Sequence, residues 1–345
     1  MIPDLLTLFN YKFSRMKRRH LIDDISKAVN VKDYVLLEKL ISSGFNSRYE
    51  NVRDVAKAKK VILELQSLIE NNASEKKRIP LWWADSPYPG NLGDSLNPWI
   101  IDGLTGIPPI KVGLNDPGVM LAIGSTAQKA RDNALVWGSG FISKDSPVNA
   151  KSEYCAVRGA LSRAMVHKAD GLCPPIYGDP ALFMPLVFPR VKKSTGRIGV
   201  IPHYIHEDLI KGGDYLHLSV KRASKADFQK FVDDLCECSY VFSSSLHGLI
   251  IARAYGIPAR RLIFSGKKLS GDDMKFEDYY SGIGLKHVSD AIDLSGLSNW
   301  DESRLKEYRS SDDPIPFDGH NLLSAFPYND YLSDDIVNRA GSMFG

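Results

Sequence analysis

The chain has 345 residues, of which 43% are hydrophobic and 25% are charged, proportions typical of a folded globular protein. A formal net charge of +3 is too small to suggest nucleic-acid binding, and no apolar run is long enough to span a bilayer. Four cysteines in this length do not make a disulfide framework, so we expect reduced thiols in a cytoplasmic protein. The length itself predicts more than one domain.

Residues 1–78 are predicted to form a helical N-terminal extension, because apolar residues recur there at helical spacing without strand-like alternation. The first twenty positions carry five basic side chains against one acidic side chain. A basic amphipathic helix of this kind could make peripheral contact with the inner face of a membrane. We favour the alternative, in which the helix packs on the body of the protein.

From Ile79 onward, short apolar runs alternate with helical segments, a pattern typical of a parallel sheet in an α/β fold. A first group of strands is predicted at 79–84, 119–123, 134–137, 153–157 and 174–177. A second group, after a linker near residue 194, is predicted at 197–202, 216–219, 239–243 and 259–264. We predict an α/β fold with two domains, 79–193 and 194–290, and a C-terminal helical tail at 291–345 that packs back on the body.

The ligand of an open parallel sheet lies at the carboxyl ends of its strands, so we expect the site in a cleft between the two halves. A glycine-bearing loop, Asn91-Leu92-Gly93-Asp94, follows the first predicted strand. Asp94 could orient or deprotonate a hydroxyl, or it could cap the helix that follows. The close backbone approach that glycine permits makes Asn91 and Gly93 candidates for ligand contact.

Three further residues of the first half follow or end predicted strands. Ser139 stands between two glycines after the strand at 134–137 and is a candidate for substrate contact. Arg158 follows a buried strand, where its guanidinium must meet a carboxylate, a phosphate or solvent. It is therefore either an anion clamp or half of a structural ion pair. Asp179 precedes Pro180 and is either a site carboxylate or a turn former.

The most informative segment, at 241–258, predicts a buried strand, three serines and a helix that opens at His247. Unpaired amides and the positive dipole end at a helix start favour an anion, and the serines add donors. We therefore predict that Ser243, Ser244 and Ser245 bind a phosphate beside His247, which could donate a proton.

Two further residues of the second half complete the predicted site. His203 ends the strand at 197–202 and is the reserve acid or base. Lys275 stands just before a predicted helix and is either an anion ligand or a solvated surface lysine. His203 and His247 have no third ligand at a suitable spacing, so no metal is expected.

Together these motifs resemble the polysaccharide pyruvyl transferase family, and most closely the branch that acts in bacterial exopolysaccharide or capsule assembly. The resemblance runs from about residue 81 to about residue 280. Its carriers are Asn91-x-Gly93-Asp94, Gly138-x-Gly140, Val157-Arg158-Gly159, Gly178-Asp179-Pro180 and, above all, Ser244-Ser245-Leu246-His247-Gly248 with Ala254-Tyr255-Gly256-Ile257-Pro258. The order and spacing of these motifs are more specific than any single one.

The resemblance implies two Rossmann-like domains arranged as in the GT-B glycosyltransferases, with the acceptor on the first domain and the donor on the second. It implies phosphoenolpyruvate as co-substrate, no further cofactor, and a sugar of a cell-surface polysaccharide or of its lipid-linked precursor as acceptor. The pyruvyl group would join two sugar hydroxyls as a ketal, with release of phosphate. Arg158 would correspond to the family's donor-binding arginine, and His247 to its histidine.

One position departs from the family pattern. Many members have Arg-Leu-His where this chain has Ser245-Leu246-His247, so an arginine that would grip the donor is missing. Its candidate replacements are Arg253, Arg260, Lys267 and Lys275.

Two other functions stay open at the level of sequence. A GT-B glycosyltransferase would use a nucleotide sugar and would need an acidic ribose ligand late in the second half, for which Glu277 and Asp278 are candidates. A non-catalytic glycan-binding or scaffold protein of a polysaccharide assembly system would bind glycans and release no phosphate.

Overall fold

The computed structural model describes residues 78–84, 90–193, 195–210, 213–285, 291–296, 300–309 and 317–344. The predicted helical extension lies outside these ranges, except for Arg78. The described residues form two five-stranded sheets, and every strand pairing in both sheets is parallel. Within these ranges, no helix has both the length and the apolar character needed to cross a bilayer.

The strands of the first sheet are β1 (Pro80–Leu81), β2 (Ile110–Lys111), β3 (Met120–Leu121), β4 (Leu135–Trp137) and β5 (Glu153–Ala156). Those of the second sheet are β6 (Arg197–Ile201), β7 (Leu216–His217), β8 (Cys238–Ser243), β9 (Ala259–Ile263) and β10 (Ile292–Asp293). The spatial orders are β2-β1-β3-β4-β5 and β10-β9-β8-β6-β7. Counted from its own first strand, each sheet has the order 2-1-3-4-5, which is a doubly wound, Rossmann-like arrangement.

The helices are α1 (Leu92–Thr105), α2 (Ala160–Lys168), α3 (Met184–Val187), α4 (Lys225–Leu235), α5 (Leu246–Ala254), α6 (Met274–Gly282), α7 (Glu302–Glu307), α8 (Gly319–Ser324) and α9 (Asp334–Phe344). Short 3-10 helices lie at Ala127–Lys129, Pro180–Phe183, Tyr204–Leu209 and Asn329–Tyr331. Local signals account for several of these bounds. Helix α4 starts at a capping box, in which Ser224 accepts from the Asp227 amide and Asp227 accepts from the Ser224 amide.

The predicted strand at 174–177 does not form. Only Tyr177 makes an isolated parallel bridge there, to Val157. The segment begins with Pro174 and Pro175, which have no amide hydrogen to donate to a neighbouring strand. Strands β2 and β10 were not predicted, because two residues at the margin of a sheet are too few to produce a periodic pattern.

The two halves share one hydrophobic core. The largest cluster of buried side chains includes Ile100 and Phe183 from the first half and Leu249 and Phe276 from the second. Helix α5 packs against α1 and α3, so an element of the second half covers the first. A topological switch point lies between β1 and β3 in the first sheet and between β6 and β8 in the second. Helix α1 follows β1 and α5 follows β8, so the α5–α1 contact brings together loops that lie beside the two switch points.

Helix α6 lies between β9 and β10 of the second sheet in the chain but packs against α2 of the first half. The two segments touch at glycines: a Cβ on Gly159 would lie 1.7 Å from the carbonyl oxygen of Asp278, and one on Gly282 would lie 2.0 Å from that of Arg158. Any side chain at either position would force the backbones apart. The C-terminal residues also contact the first half, since Trp137 Nε1 donates to the carbonyl of Leu322 at 2.8 Å.

Candidate active site

A cavity of about 310 Å³ lies where loops of the two halves meet. This volume is at the lower end of the range of roughly 300–1,000 Å³ that is usual for small-ligand sites. Its polar lining from the first half includes Asn91, Asp94, Ser125, Gln128 and Lys129, and from the second half His203, Ser245, His247 and Lys275. The sequence predicted twelve site residues, and six of them line this cavity: Asn91, Asp94, His203, Ser245, His247 and Lys275.

His247 is in the first turn of α5 and is buried. Its ring lies against the backbone of α1, so that a Cβ on Gly93 would fall 2.1 Å from His247 Nδ1. Its Nε2 is 3.5 Å from Oδ2 of the buried Asp179, and neither atom has a closer hydrogen-bond partner in the described part of the chain. An adjacent carboxylate orients an imidazole and stabilises its protonated form. Gly93 thus contacts the ring of His247 and does not itself line the cavity.

Asp179 caps a turn, which is one of the two roles predicted for it, and it also faces His247. Its Oδ1 accepts a hydrogen bond from the Ala181 amide at 3.0 Å and so caps the short helix Pro180–Phe183. Its Oδ2 is left to face His247. One carboxylate therefore holds the turn and the histidine at once.

Asp94 is not the cap of α1, because the cap position belongs to Asn91. The carboxylate lies in the first turn, where Oδ2 accepts from Asn91 Nδ2 at 3.0 Å. Enclosure by the protein raises the pKa of Asp94, and the neighbouring His247 offsets part of this rise. A carboxylate with a raised pKa is a stronger base once it is ionised.

The backbone at Asp94 is supported by a residue that the sequence reasoning did not single out. Pro98 has no amide hydrogen, so the Asp94 carbonyl cannot make its normal helical bond. Asn97 Nδ2 donates to that carbonyl at 3.1 Å and to the carbonyl of Ile123, while Asn97 Oδ1 accepts from the Ile123 amide at 2.9 Å. This buried amide therefore ties α1 to the loop after β3.

Lys275, on α6, is 8% exposed and lines the cavity. Within the described ranges no carboxylate is close enough to form an ion pair with it, and burial lowers its pKa to about 8, with a smaller contribution from Arg158. An ammonium without a carboxylate partner in a small cavity is suited to hold an anion.

His203 also lines the cavity, and its Nδ1 accepts from the Ile205 amide at 3.4 Å. Burial lowers the pKa of His203 to about 3, and the nearby Lys275 adds to the effect. The ring is therefore neutral near pH 7, with its hydrogen on Nε2. A neutral ring of this kind can donate a hydrogen bond. The predicted role of His203 as reserve acid or base stays a prediction.

Two of the three predicted phosphate-binding serines have internal partners instead and do not line the cavity. Ser243 Oγ bonds the carbonyl of Ile201 at 2.8 Å and accepts from the Ser245 amide at 3.1 Å. Ser244 Oγ accepts from the His203 amide at 2.9 Å and lies 2.9 Å from His206 Nδ1. These bonds shape the loop before α5. Ser245, the cap of α5, is the serine that reaches the cavity.

Ser139 is likewise a buried support. Its Oγ accepts from the Thr126 amide at 3.1 Å and bonds the carbonyl of Gly124 at 2.9 Å. It thereby fixes the loop after β3, which contributes Ser125 to the cavity. The predicted contact between Ser139 and a substrate would therefore be indirect.

Arg158 does not line the cavity, because the protein itself supplies its counter-ion. Its Nε and Nη2 lie 3.1 and 3.0 Å from Asp278 Oδ2, and Nη2 also donates to the carbonyl of Phe141 at 2.8 Å. Both side chains are fully buried. Asp278 also accepts from the amide and the hydroxyl of Ser162. The ion-pair alternative therefore describes the observed geometry, and direct donor binding by Arg158 stays a prediction.

Arg158 reaches the cavity through one residue, Ser125. Its Nη1 donates to Ser125 Oγ at 2.7 Å. An arginine can only donate, so the hydroxyl hydrogen of Ser125 stays available for another acceptor. Sequence reasoning missed Ser125, although Gly124-Ser125-Thr126 follows a predicted strand just as the other candidate loops do.

Comparison with known proteins finds one family model that matches part of the chain. Residues 113–263 match the family model of polysaccharide pyruvyl transferase. The matched segment contains Arg158, Asp179, His203 and His247, whereas Asp94 and Lys275 lie outside it. The uncharacterized protein L143 of Acanthamoeba polyphaga mimivirus is 27% identical over 177 residues, which cover 48% of this chain and 60% of the relative. No solved structure matches significantly.

The sequence offered four candidates to replace the arginine that the pyruvyl transferase pattern has at Ser245. Among the four candidates only Lys275 lines the cavity. Arg253 donates to the carbonyl of Ala259, and Arg260 donates to that of Tyr308. Lys267 pairs with Asp208 and faces a neighbouring cavity of about 430 Å³, which none of the twelve predicted residues lines.

The acidic residues that would suit a nucleotide sugar have other partners. Asp278 is saturated by Arg158 and Ser162, and Glu277 pairs with Lys144 at the surface, at 3.4 Å. Neither carboxylate lines the cavity. Among the residues described, no group of three or more His, Cys, Asp or Glu side chains is placed to hold a metal ion.

Proposed function

We propose that this protein is a pyruvyl transferase, which moves a pyruvyl group from phosphoenolpyruvate onto two hydroxyls of a sugar in a cell-surface polysaccharide or its precursor. The observation that carries the proposal is the convergence of His247, Asp94 and Lys275 on one small cavity between the two halves. The family match over residues 113–263 supports it independently.

The donor is a small anion, and the cavity offers it positive charge and hydrogen-bond donors. The ammonium of Lys275 would hold the phosphate or the carboxylate, in place of the missing arginine. Ser125, whose oxygen already accepts from Arg158, would donate its hydroxyl hydrogen to the same ligand. The amides in the first turn of α5 add the positive end of the helix dipole.

In the first step, protonated His247 would transfer its proton to the methylene carbon of phosphoenolpyruvate. The neighbouring carbon then becomes electrophilic. Oδ2 of Asp179, 3.5 Å from His247 Nε2, would stabilise the imidazolium before the transfer and hold the ring in place. The packing of the ring against Gly93 leaves it little freedom to rotate.

In the second step, a sugar hydroxyl adds to the electrophilic carbon while Asp94 takes its proton. The bond to the phosphate oxygen breaks, and the second hydroxyl closes the ketal. Of the two hydroxyl protons, one replaces the proton delivered to the methylene carbon and the other leaves with inorganic phosphate. Atoms and charge then balance without an oxidant, a reductant or a nucleotide.

The test is incubation with phosphoenolpyruvate and a panel of galactosides, mannosides and N-acetylhexosaminides, followed by mass spectrometry for the pyruvyl adduct and assay of released phosphate. We expect both products from the wild-type protein and neither from His247→Ala. Circular dichroism and thermal unfolding would show whether that variant is folded. Near-full activity in folded His247→Ala would remove His247 from the mechanism. Phosphate release without an adduct would reject pyruvyl transfer.

A further inference from the structure

Two amide side chains that line the cavity from the first half have fixed orientations. Asn91 Nδ2 donates to Asp94 Oδ2 at 3.0 Å, and Gln128 Nε2 donates to the main-chain oxygen of Ser125 at 2.8 Å. A carbonyl oxygen can only accept, and so can Asp94 in the ionised state in which it acts as the proposed base. The nitrogen of each amide must therefore point to these partners, which leaves its oxygen at the other side.

Those two oxygens lack donors. Asn91 Oδ1 and Gln128 Oε1 are buried, and within the part of the chain that the structure describes neither has a hydrogen-bond partner. A buried acceptor without a donor is unfavourable, and native proteins rarely keep one without a reason. Because both side chains line the cavity, a ligand that carries hydroxyl groups would satisfy them.

The chemistry of the two co-substrates decides which one fits. Phosphoenolpyruvate near pH 7 presents almost only acceptor oxygens, so it would be repelled by two more acceptors. A sugar presents several O–H donors. Asn91 is also bonded to Asp94, the proposed base, so a hydroxyl held by Asn91 would lie next to the group that deprotonates it.

We propose that Asn91 Oδ1 and Gln128 Oε1 form a hydroxyl-binding subsite for the acceptor sugar, with Gln128 as a specificity-determining residue. The inference rests on the proposed function for its choice of ligand. It divides the cavity into an acceptor side at Asn91 and Gln128 and a donor side at Lys275. Two amide oxygens also match a reaction that consumes two hydroxyls of one sugar.

The experiment uses Gln128→Met, which keeps the length of the side chain and removes its acceptor. Gln229→Met is the matched control, because Gln229 lies on α4 and bonds Asp233 away from the cavity. Saccharide binding is measured without phosphoenolpyruvate, by saturation-transfer NMR, with methyl galactoside, methyl mannoside and N-acetylglucosamine as probes. Phosphoenolpyruvate binding is measured separately by calorimetry.

We expect Gln128→Met to weaken saccharide binding by roughly three- to tenfold, the worth of one hydrogen bond, with phosphoenolpyruvate affinity unchanged. Unchanged donor affinity would also show that the variant is folded. Equal saccharide binding by both variants, a loss of donor affinity in Gln128→Met, or no saccharide binding by the wild type would each overturn the inference. Saccharide binding that depends on Gln128 without any pyruvyl transfer would instead reject the proposed function and leave the subsite standing.

Discussion

At the scale of single residues, the candidate site depends on side chains whose titration differs from that of the free amino acids. Asp94 is enclosed and its pKa is raised, Lys275 is buried and its pKa is lowered, and His203 is neutral at physiological pH. Each shift has burial as its largest cause. The pH dependence of activity should therefore differ from the one that exposed Asp, Lys and His side chains would give.

Replacing Asp94 with Asn should lower the rate of pyruvyl transfer by about 10²–10⁴-fold, the usual contribution of a general base. Because the pKa of Asp94 is raised, the acid limb of the wild-type kcat/KM profile should lie above the ordinary range of an aspartate. The measurement is a pH–rate profile with phosphate release as readout. An acid limb at the ordinary value, or a profile in Asp94→Asn that keeps the same limb, would exclude Asp94 as the base.

The raised pKa of Asp94 makes activity rise with pH, whereas the titration of Lys275 should make donor affinity fall at higher pH. The ammonium binds the anionic donor, and its pKa is about 8, so donor affinity should fall as the pH rises through this value. The phosphate is already fully ionised above about pH 7 and cannot compensate. Calorimetry between pH 7 and pH 9 would detect the fall. Lys275→Met should bind weakly at every pH and lose this dependence; a dependence that persists in this variant would point to another group.

Sequence can predict which residues lie near the site, but it cannot predict whether each side chain faces the cavity or an internal partner. Residue types at strand ends and helix starts identified His247, Asp94 and Lys275, because the loops at one edge of a sheet converge. The same rule also selected Arg158, Ser139, Ser243 and Ser244, which have internal partners. Nothing local distinguishes the two groups, since the partner that occupies Arg158 is 120 positions away.

At the scale of elements, the contact between α1 and α5 sets the position of His247 relative to Asp94. Gly93 lies in the first turn of α1 and touches the ring of His247 in the first turn of α5. The first turns of α1 and α5, one from each half, are therefore in direct contact. Any change in their separation would move the histidine relative to Asp94.

Gly93→Ala should therefore abolish most of the activity while the protein stays folded. The added methyl would fall 2.1 Å from His247 Nδ1, so the ring must move away. Gly341→Ala, on α9, is the matched control, because no atom lies within 4 Å of its added methyl. The readouts are transfer rate and melting temperature. Normal activity in Gly93→Ala would show that the ring position is not critical.

The helix that the sequence predicted to open at His247 forms as α5, which begins one residue earlier, after the capping residue Ser245. Sequence reasoning missed the two-residue strands β2 and β10 because pairing, and not periodicity, defines them. It wrongly assigned a strand to 174–177, where hydrophobicity suggested a strand but two prolines removed the donors.

At the scale of the whole molecule, the ion pair of Arg158 and Asp278 fastens α6 to the first half. Both charges are fully buried, and each has further hydrogen bonds that satisfy it. Breaking such a pair leaves one charge uncompensated, which is far more costly than losing a surface pair.

Asp278→Asn should lower the free energy of unfolding by about 3–5 kcal/mol. Asp234→Asn is the matched control: its pair with Lys230 is an exposed i,i+4 contact, and its loss should cost less than about 1 kcal/mol. Urea unfolding followed by circular dichroism compares the two. Equal losses in the two variants would mean that the buried pair does not stabilise the fold.

The position of α6 has a consequence for dissecting the protein. Chain order suggests that residues up to 193 would make an autonomous folding unit. Such a truncation would strip Arg158 of its counter-ion and expose the apolar surface that Phe276 and Tyr279 now cover. The smallest independently stable fragment should therefore extend at least through Gly282. A fragment that ends at the boundary between the two halves should not fold on its own.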